Sequence, residues 1–385
     1  MVLNIIAPDD PALDVLKEAL LKRPDLNINL SVIPWSKYRD TLMQTLKTDL
    51  APNQAIFVPG HIWIPELADA GYITDLNELF SSISSSIMKE YDKDDILPSI
   101  ADECSYKNYQ YQLPFFSDGH ILFYRKDFID LDGEIPIVST KEVYKLASKV
   151  HNPSKIYGLA LKADVSEIFT DFLPYLWEAN GYIFDKKGFP DLTNYKNVEA
   201  LELYCDLKEL CPPKTDSYGN AEISDSLKNG EAALICTWGG QIAPILLDKN
   251  NKYKDSYKAA LFPTPWNATW GIAIPKNQPK SIQEKTLSKL LQVLGKEQDK
   301  QIISIAGSPV RESSYTDDQL AKYPWLKAQK EMLKRAKILP KNPKLGLFLG
   351  ILYEAVHKAF TKQMTPKEAL DFAQGKAILN YEKDL

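Results

Sequence analysis

Hydrophobic and polar positions along the first part of the chain follow the repeating pattern of an α/β layer. The apolar run at residues 2–6 predicts a buried parallel strand, and apolar–polar alternation over 28–32 predicts a second strand. Apolar residues at helical spacing over 13–20 and 38–46 predict a helix after each strand. A third strand at 55–58 continues the series. This strand–helix alternation is typical of an α/β domain.

Helical signals recur through the rest of the chain. Ser139 with Glu142, and Ser281 with Glu284, have the spacing of a capping box, which predicts a helix start at each place. Further helices are predicted for the apolar run at 169–179, the amphipathic stretch at 345–356 and the segment that begins at Thr365.

Length and charge limit the possible classes of protein. A chain of 385 residues is too long for one ordinary core, so two domains are expected. The hydrophobic content of 44% and charged content of 25% are those of a soluble globular protein. A net charge of −5 argues against a nucleic-acid partner, which selects a concentrated basic face. No apolar run reaches the ~18 residues that a membrane span requires.

Four scattered cysteines argue against a disulfide framework, and without a Cys-x-x-Cys pair a zinc site is not expected. Free thiols are expected, although Cys205 and Cys211 lie close enough in sequence to pair if the helix ends before Pro212. Met1 is followed at once by a predicted strand, with no secretory signal. We therefore expect either a cytoplasmic protein or a mature form whose export signal has been removed.

The stretch at 113–127, LPFFSDGHILFYRKD, combines an extended Pro-containing run, a polar step and a β-prone run. Such a segment can cross from one lobe to another and leave the carboxylate of Asp118 at the crossing. The stretch resembles the crossover of family 1 extracellular solute-binding proteins of ABC transporters, the maltose-binding-protein-like group.

Further motifs that resemble this family follow in the expected order along nearly the whole chain. The segment at 53–79 departs from the family pattern at Asn53 and Gln54, where the family usually has Asp, which leaves part of that turn's chemistry open. The matching motifs are PELADAGYITDL at 65–76, LKNGEAAL at 227–234, WGIAIPK at 270–276, GSPVR at 307–311 and TPKEAL at 365–370.

The resemblance implies an α/β, two-lobed, periplasmic-binding-protein-like fold of type II with three hinge crossovers, at 114–118, 265–271 and 309–311. The N-terminal lobe is expected to comprise residues 1–115 and 266–310, and the C-terminal lobe 116–265 and 311–385. A ligand is expected in the cleft between the lobes, and hinge closure would bury it.

The implied function is that of the substrate-binding component of an ABC importer, which captures a mono- or oligosaccharide and delivers it to a membrane permease. Neither a cofactor nor a metal is expected, and the protein is expected to be a monomer. An extracytoplasmic, lipid-anchored location is implied. The alternatives are a binding protein for a polyol, polyamine or phosphate ester, and a secreted carbohydrate-active enzyme.

Tryptophans beside strand ends, Pro or Gly are the main candidates for ligand contact, because a rigid indole offers a flat apolar face to the C–H face of a sugar. Trp177 and Trp325 lie in helical runs and are expected to pack internally. The alternative for a loop tryptophan, that it seals a core edge, stays open for Trp35 and Trp266. The candidates are Trp35, Trp63, Trp238 with the following Gly239, Trp266 and Trp270.

Polar candidates lie at the crossings and after strands. Asp118 can accept hydrogen bonds from ligand hydroxyls, or bond its own backbone before Gly119. Arg311 can donate in a fork to a ligand, or form a structural salt bridge. Asp9 and His61 are weaker candidates in loops after strands, where α/β ligand sites gather.

Enzymatic motifs are missing from the sequence. There is no His-Glu-x-x-His, Gly-x-Ser-x-Gly, phosphate loop or Gly-x-Gly-x-x-Gly. A glycoside hydrolase needs two carboxylates facing each other. Nothing marks such a pair among the 51 acidic residues.

Overall fold

The structure is a computed structural model that describes residues 2–48, 53–305 and 307–383. The chain divides into two compact units. Unit 1 comprises Met1–Asp118, Ala268–Tyr323 and Lys341–Pro343, and unit 2 comprises Gly119–Asn267, Pro324–Pro340 and Lys344–Leu385. The segment at 311–323, which the sequence assigned to the C-terminal lobe, belongs to unit 1 here. It is held there because Arg311 and Ser313 bond to other residues of that unit.

The strands are β1 Leu3–Pro8, β2 Ile28–Ile33, β3 Gln54–Val58, β4 Ser105–Tyr106, β5 Tyr109–Gln110, β6 Leu113–Arg125, β7 Tyr157–Ala160, β8 Ala232–Trp238, β9 Tyr257–Ala260 and β10 Asn267–Ala273. The helices are α1 Leu13–Lys22, α2 Trp35–Lys47, α3 Ile64–Asp69, α4 Asn77–Phe80, α5 Ser85–Tyr91, α6 Pro98–Glu103, α7 Thr140–Val150, α8 Ile168–Glu178, α9 Tyr195–Asp206, α10 Asn220–Asn229, α11 Ala243–Leu246, α12 Lys280–Leu291, α13 Lys296–Ile302, α14 Asp317–Lys322, α15 Leu326–Arg335, α16 Gly346–Phe360 and α17 Pro366–Lys383.

In unit 1 the predicted α/β layer is present. Strands β2, β1 and β3 are parallel, and β10 runs antiparallel to β3 with Ile272 opposite Phe57. The inner face of α2, formed by Tyr38, Leu42 and Leu46, is buried in the same core cluster as Ile56 of β3. The parallel strands β1, β2 and β3 lead into α1, α2 and α3, which places these connecting loops at one edge of the sheet.

In unit 2 the second part of β6 lies between β8 and β9, antiparallel to both, and β7 is parallel to β8. The predicted helix at 169–179 is α8, and its residues from Ile168 to Trp177 are all buried. Trp177 and Trp325 are both buried, which confirms their predicted packing role. In a helix that is buried on all sides, any charged residue lies in the protein interior.

Strand β6 carries the chain from unit 1 to unit 2 between Asp118 and Gly119. All residues of this strand are buried. A Cβ at Gly119 would lie 2.5 Å from the carbonyl oxygen of Trp266 and 2.6 Å from Sδ of Met332. The crossing therefore requires glycine, since any side chain would displace backbone.

The two predicted capping boxes have different outcomes. At Ser139 the hydroxyl accepts a hydrogen bond from the Glu142 amide at 3.2 Å, and α7 begins at Thr140, which confirms that helix start. At Ser281 the prediction is wrong. Helix α12 already begins at Lys280, because the carbonyl of Pro279 accepts the first helical bonds.

All four cysteines are free, including Cys205 and Cys211. Within residues 2–48, 53–305 and 307–383, the helices lack the combination of length and apolar character that a bilayer span requires.

Candidate ligand-binding site

The sequence-predicted residues fall into two groups, one in each unit. Unit 1 brings together Trp35 and Trp270, whose rings meet edge to face with centroids 5.5 Å apart. Trp35 opens α2 and is 46% exposed, while Trp270 lies in β10 and is half-buried against Phe116. Trp35 therefore does not seal a core edge, and unit 1 presents an aromatic surface at this place.

Trp63 follows β3 and is half-buried. Its ring stacks on Tyr38 at a centroid distance of 6.3 Å, and the guanidinium of Arg39 lies 4.5 Å from its centroid. Arg39 also donates to the carboxylate of Glu66. These contacts fix the position of the Trp63 ring. The Arg39–Glu66 ion pair beside the ring was not predicted from the sequence.

Asp118 is only 9% exposed and lies at the unit 1 end of the β6 crossing. Gly307 approaches it so closely that a Cβ there would lie 3.0 Å from the Cβ of Asp118. Asp9 is exposed directly after β1. Ligand contact by these two carboxylates stays a prediction. The side chain of His61 lies outside the described part of the structure.

Arg311 corrects the sequence-based assignment. Its side chain is fully buried, and Nη1 lies 3.3 Å from Oδ2 of Asp299, which is also fully buried. The remaining donors go to the carbonyls of Tyr91 and Leu294, at 3.0 and 3.2 Å. Burial raises the pKa of Asp299 to about 6 although the guanidinium opposes the shift. Arg311 therefore forms the structural salt bridge, and no donor of its fork is directed to a ligand.

Unit 2 brings together Trp238, Trp266 and His120. The two indole centroids are 5.0 Å apart, and the imidazole of His120 lies 4.7 Å from Trp238 and 5.5 Å from Trp266. Trp238 ends β8 and is half-buried, and Gly239, which follows it, is buried in a short 3₁₀ turn. Trp266 is buried, as expected if it seals a core edge.

Beside these rings lies a buried charged cluster that the sequence analysis missed. The ammonium of Lys162 lies 4.5 Å from the Trp238 ring centroid, 3.3 Å from Nε2 of His120 and 3.5 Å from Oδ1 of Asp171. The carboxylate of Glu167 lies 3.6 Å away. We call Lys162, Asp171, Glu167 and His120 the Lys162 cluster.

The electrostatics of the Lys162 cluster follow from burial. Burial, followed by the nearby positive charge of Lys162, holds the pKa of His120 well below its usual value, so its imidazole is neutral. Burial also raises the pKa of Asp171 to about 7, while Lys162 acts in the opposite direction. The cluster is therefore a compact, buried set of hydrogen-bond donors and acceptors around the Lys162 side chain.

Among the described residues, His120, Asp171 and Cys236 place possible metal-ligand atoms within 4.8 Å of one another. The Lys162 ammonium, however, lies at the same His120 and Asp171 atoms that a metal would bind. Burial also raises the pKa of the Cys236 thiol well above its usual value, which disfavours the thiolate that metals prefer. We assign no metal to these residues.

Residues 7–301 match the family described as bacterial extracellular solute-binding protein. The match covers more than half of the chain, so this chain belongs to that family, as the resemblance implied.

A curated relative, the mannitol-binding protein of Pseudomonas aeruginosa, is 27% identical over an aligned length of 386 residues. The alignment covers 91% of this chain and 85% of the relative. The structure is similar to an ABC transporter solute-binding protein from Agrobacterium radiobacter K84 in complex with ribitol, with a TM-score of 0.83, 23% identity and 98% coverage of each chain. Maltose-bound MalE3 of T. maritima gives a TM-score of 0.80 and 20% identity, covering 98% of this chain and 99% of its own. These similarities confirm the predicted α/β fold of the type II periplasmic binding proteins.

Proposed function

We propose that this protein is the substrate-binding component of an ABC importer, and that it captures a carbohydrate or polyol outside the cytoplasm for a membrane permease. Membership of the extracellular solute-binding family supports capture of a solute. The relatives' ligands, mannitol, ribitol and maltose, are all neutral and rich in hydroxyls, and they suggest the class of solute. Lipid anchoring and a monomeric state stay part of this proposal.

The observation that carries the choice of ligand is the half-buried Trp238 beside the Lys162 cluster. A sugar or polyol has apolar C–H faces and many hydroxyl donors and acceptors. An indole ring can pack against the C–H faces, while carboxylates and an ammonium can form hydrogen bonds with the hydroxyls. A phosphate ester would need an excess of cations, whereas the cluster has one ammonium beside two carboxyl groups.

We also propose that the protein binds its ligand without transforming it. Glycoside hydrolysis needs one carboxyl that protonates the leaving oxygen and another that acts on the opposite side of the sugar. In the Lys162 cluster, Asp171 and Glu167 both lie beside the same ammonium, and the side chain of Asp171 is fully buried. That arrangement supports binding rather than acid–base catalysis.

A thermal-shift screen tests the proposed ligand class. D-mannitol, ribitol, D-glucitol and maltose should be compared at equal millimolar concentrations with a polyamine, a sugar phosphate and divalent metals. A true ligand at 100 times its Kd stabilises the folded state by about 2.7 kcal/mol, so its midpoint should rise by a few degrees. A shift with the polyamine or the sugar phosphate but with none of the neutral probes would contradict the proposed ligand class.

Hinge closure, which the sequence resemblance implies, predicts a change of overall dimensions on binding. A ligand that binds the closed state better shifts the population towards it. Small-angle scattering with the strongest ligand of the screen should therefore give a smaller radius of gyration than the free protein gives. An unchanged scattering curve at saturating ligand would contradict closure without contradicting binding.

A further inference from the structure

Lys162 lies two residues after the end of β7 in unit 2, and its side chain is fully buried. A buried ammonium is costly unless it is paired and hydrogen-bonded. Its partners are nevertheless distant. The contacts of Nζ to His120, Asp171 and Glu167 are 3.3, 3.5 and 3.6 Å, against about 2.7–2.9 Å for a well-formed charge-assisted bond. The donors of Lys162 are therefore only loosely satisfied.

Buried polar atoms on side chains around His120 also lack hydrogen-bond partners among the described residues. Among them are Oδ1 of Asp171 and Nε1 of Trp266, whose ring lies 5.5 Å from that of His120. The other carboxylate oxygen of Asp171 accepts the main-chain N–H of Lys162 at 2.8 Å, which ties the two residues together. Buried polar groups without partners are uncommon, and each calls for a specific explanation.

The cluster is accessible at one side. The side chain of Glu167 is 24% exposed, and Trp238 is half-buried. Glu167 precedes α8 and its other carboxylate oxygen accepts from Nδ2 of Asn220 at 2.9 Å, which fixes its direction. A ligand that contacts Glu167 and Trp238 would thus lie close to the Lys162 ammonium, which is adjacent to both side chains.

We propose that Lys162, Glu167 and Trp238 form a hydroxyl-binding subsite for a neutral polyhydroxylated ligand. Lys162 donates to one ligand oxygen, Glu167 accepts from a neighbouring hydroxyl, and the Trp238 ring contacts the intervening C–H groups. Asp171 and His120 are positioning residues that hold the ammonium. This inference rests on the proposed function and adds residues that determine its specificity.

The charge of the subsite selects against anions. Lys162 is the only cation among the four residues, and the carboxyl groups of Asp171 and Glu167 both lie beside it. An anion-binding site requires the reverse balance, with more donors and cations than carboxylates. The subsite should therefore prefer a polyol to the corresponding sugar acid, which has a carboxylate in place of one terminal hydroxyl.

Titration calorimetry with D-mannitol, ribitol, maltose and D-mannonate tests the subsite. Lys162→Met should weaken the binding of D-mannitol by roughly tenfold or more, as expected for loss of a charge-assisted bond. Glu167→Gln keeps the shape and removes one negative charge. It should weaken D-mannitol binding by roughly tenfold and raise the affinity for D-mannonate relative to D-mannitol.

Lys208→Met is the matched control. Lys208 lies in the same unit, pairs with Asp216 at 2.8 Å and lies 5.6 Å from the Phe360 ring centroid, outside the Lys162 cluster. Its replacement should leave the affinity unchanged. Glu167→Gln keeps the test valid if Lys162→Met fails to fold, because the side chain of Glu167 is partly exposed.

The outcomes separate the subsite from the proposed function. If the wild type binds a neutral probe and folded Lys162→Met and Glu167→Gln bind it equally well, the subsite is overturned and the function stands. An unchanged preference for D-mannitol over D-mannonate in Glu167→Gln would also overturn it. If the wild type binds none of the neutral probes, the proposed function itself fails and the subsite fails with it.

Discussion

Replacing Arg311 with methionine should lower the free energy of unfolding by about 3–5 kcal/mol, which is the range measured when one member of a buried ion pair is removed. The change leaves the carboxylate of Asp299 buried without its cation, and the carbonyls of Tyr91 and Leu294 without their donor. Urea unfolding at neutral pH measures this difference, provided that the slope of the transition is unchanged.

Two variants separate this effect from general damage. Arg335 is exposed near the end of α15, so Arg335→Met should change stability by no more than about 0.5 kcal/mol. A double change of Arg311→Met and Asp299→Leu removes both charges and should recover much of the loss. If Arg311→Met is as stable as the wild type but binds ligand poorly, Arg311 is a ligand residue and the structural assignment is wrong.

Replacing Trp238 with alanine should have the largest effect on affinity among the predicted aromatic residues. It removes the half-buried ring beside Lys162 and with it several tens of Å² of apolar contact. At about 25 cal/mol per Å² this costs on the order of 1–2 kcal/mol, or about 5- to 30-fold in Kd. Because an indole ring contacts C–H groups and not particular hydroxyls, the affinities for epimeric ligands should fall by similar factors. Titration calorimetry with D-mannitol and D-glucitol measures both.

Trp238→Phe should recover part of this loss, since it keeps a ring for the ligand and for the Lys162 ammonium. Tyr195 provides the control, because it is 73% exposed at the start of α9 in the same unit. Tyr195→Ala should bind like the wild type. If Trp238→Ala does so as well while remaining folded, Trp238 is a packing residue.

The fold could be predicted from the sequence because its signals are local. The run at 2–6 and the alternation at 28–32 became β1 and β2, and the Ser139 capping box fixed the start of α7. The Ser281 box failed because Pro279 terminated the preceding segment and started the helix earlier. Such local competition shifts element limits without changing the order of elements.

The site was harder to predict, because its side chains meet across long stretches of sequence. Arg311 was a ligand candidate from its motif, yet its main-chain acceptor is Tyr91, 220 positions away. The Lys162 cluster was missed, although a signal was present. Lys162 and Asp171 are charged residues in otherwise apolar segments, and both proved fully buried. A lone charge in a predicted core helix or strand indicates a buried partner, and the sequence alone does not name that partner.

The proposed function is capture of a neutral carbohydrate or polyol that is returned unchanged. Titration calorimetry of the wild type against D-mannitol, ribitol, D-glucitol and maltose, followed by mass spectrometry of the recovered ligand, tests it most directly. We expect saturable one-to-one binding of at least one probe and its recovery intact. Turnover of the probe above the background rate, or saturable binding only of polyamines, phosphate esters or other charged solutes, would contradict it.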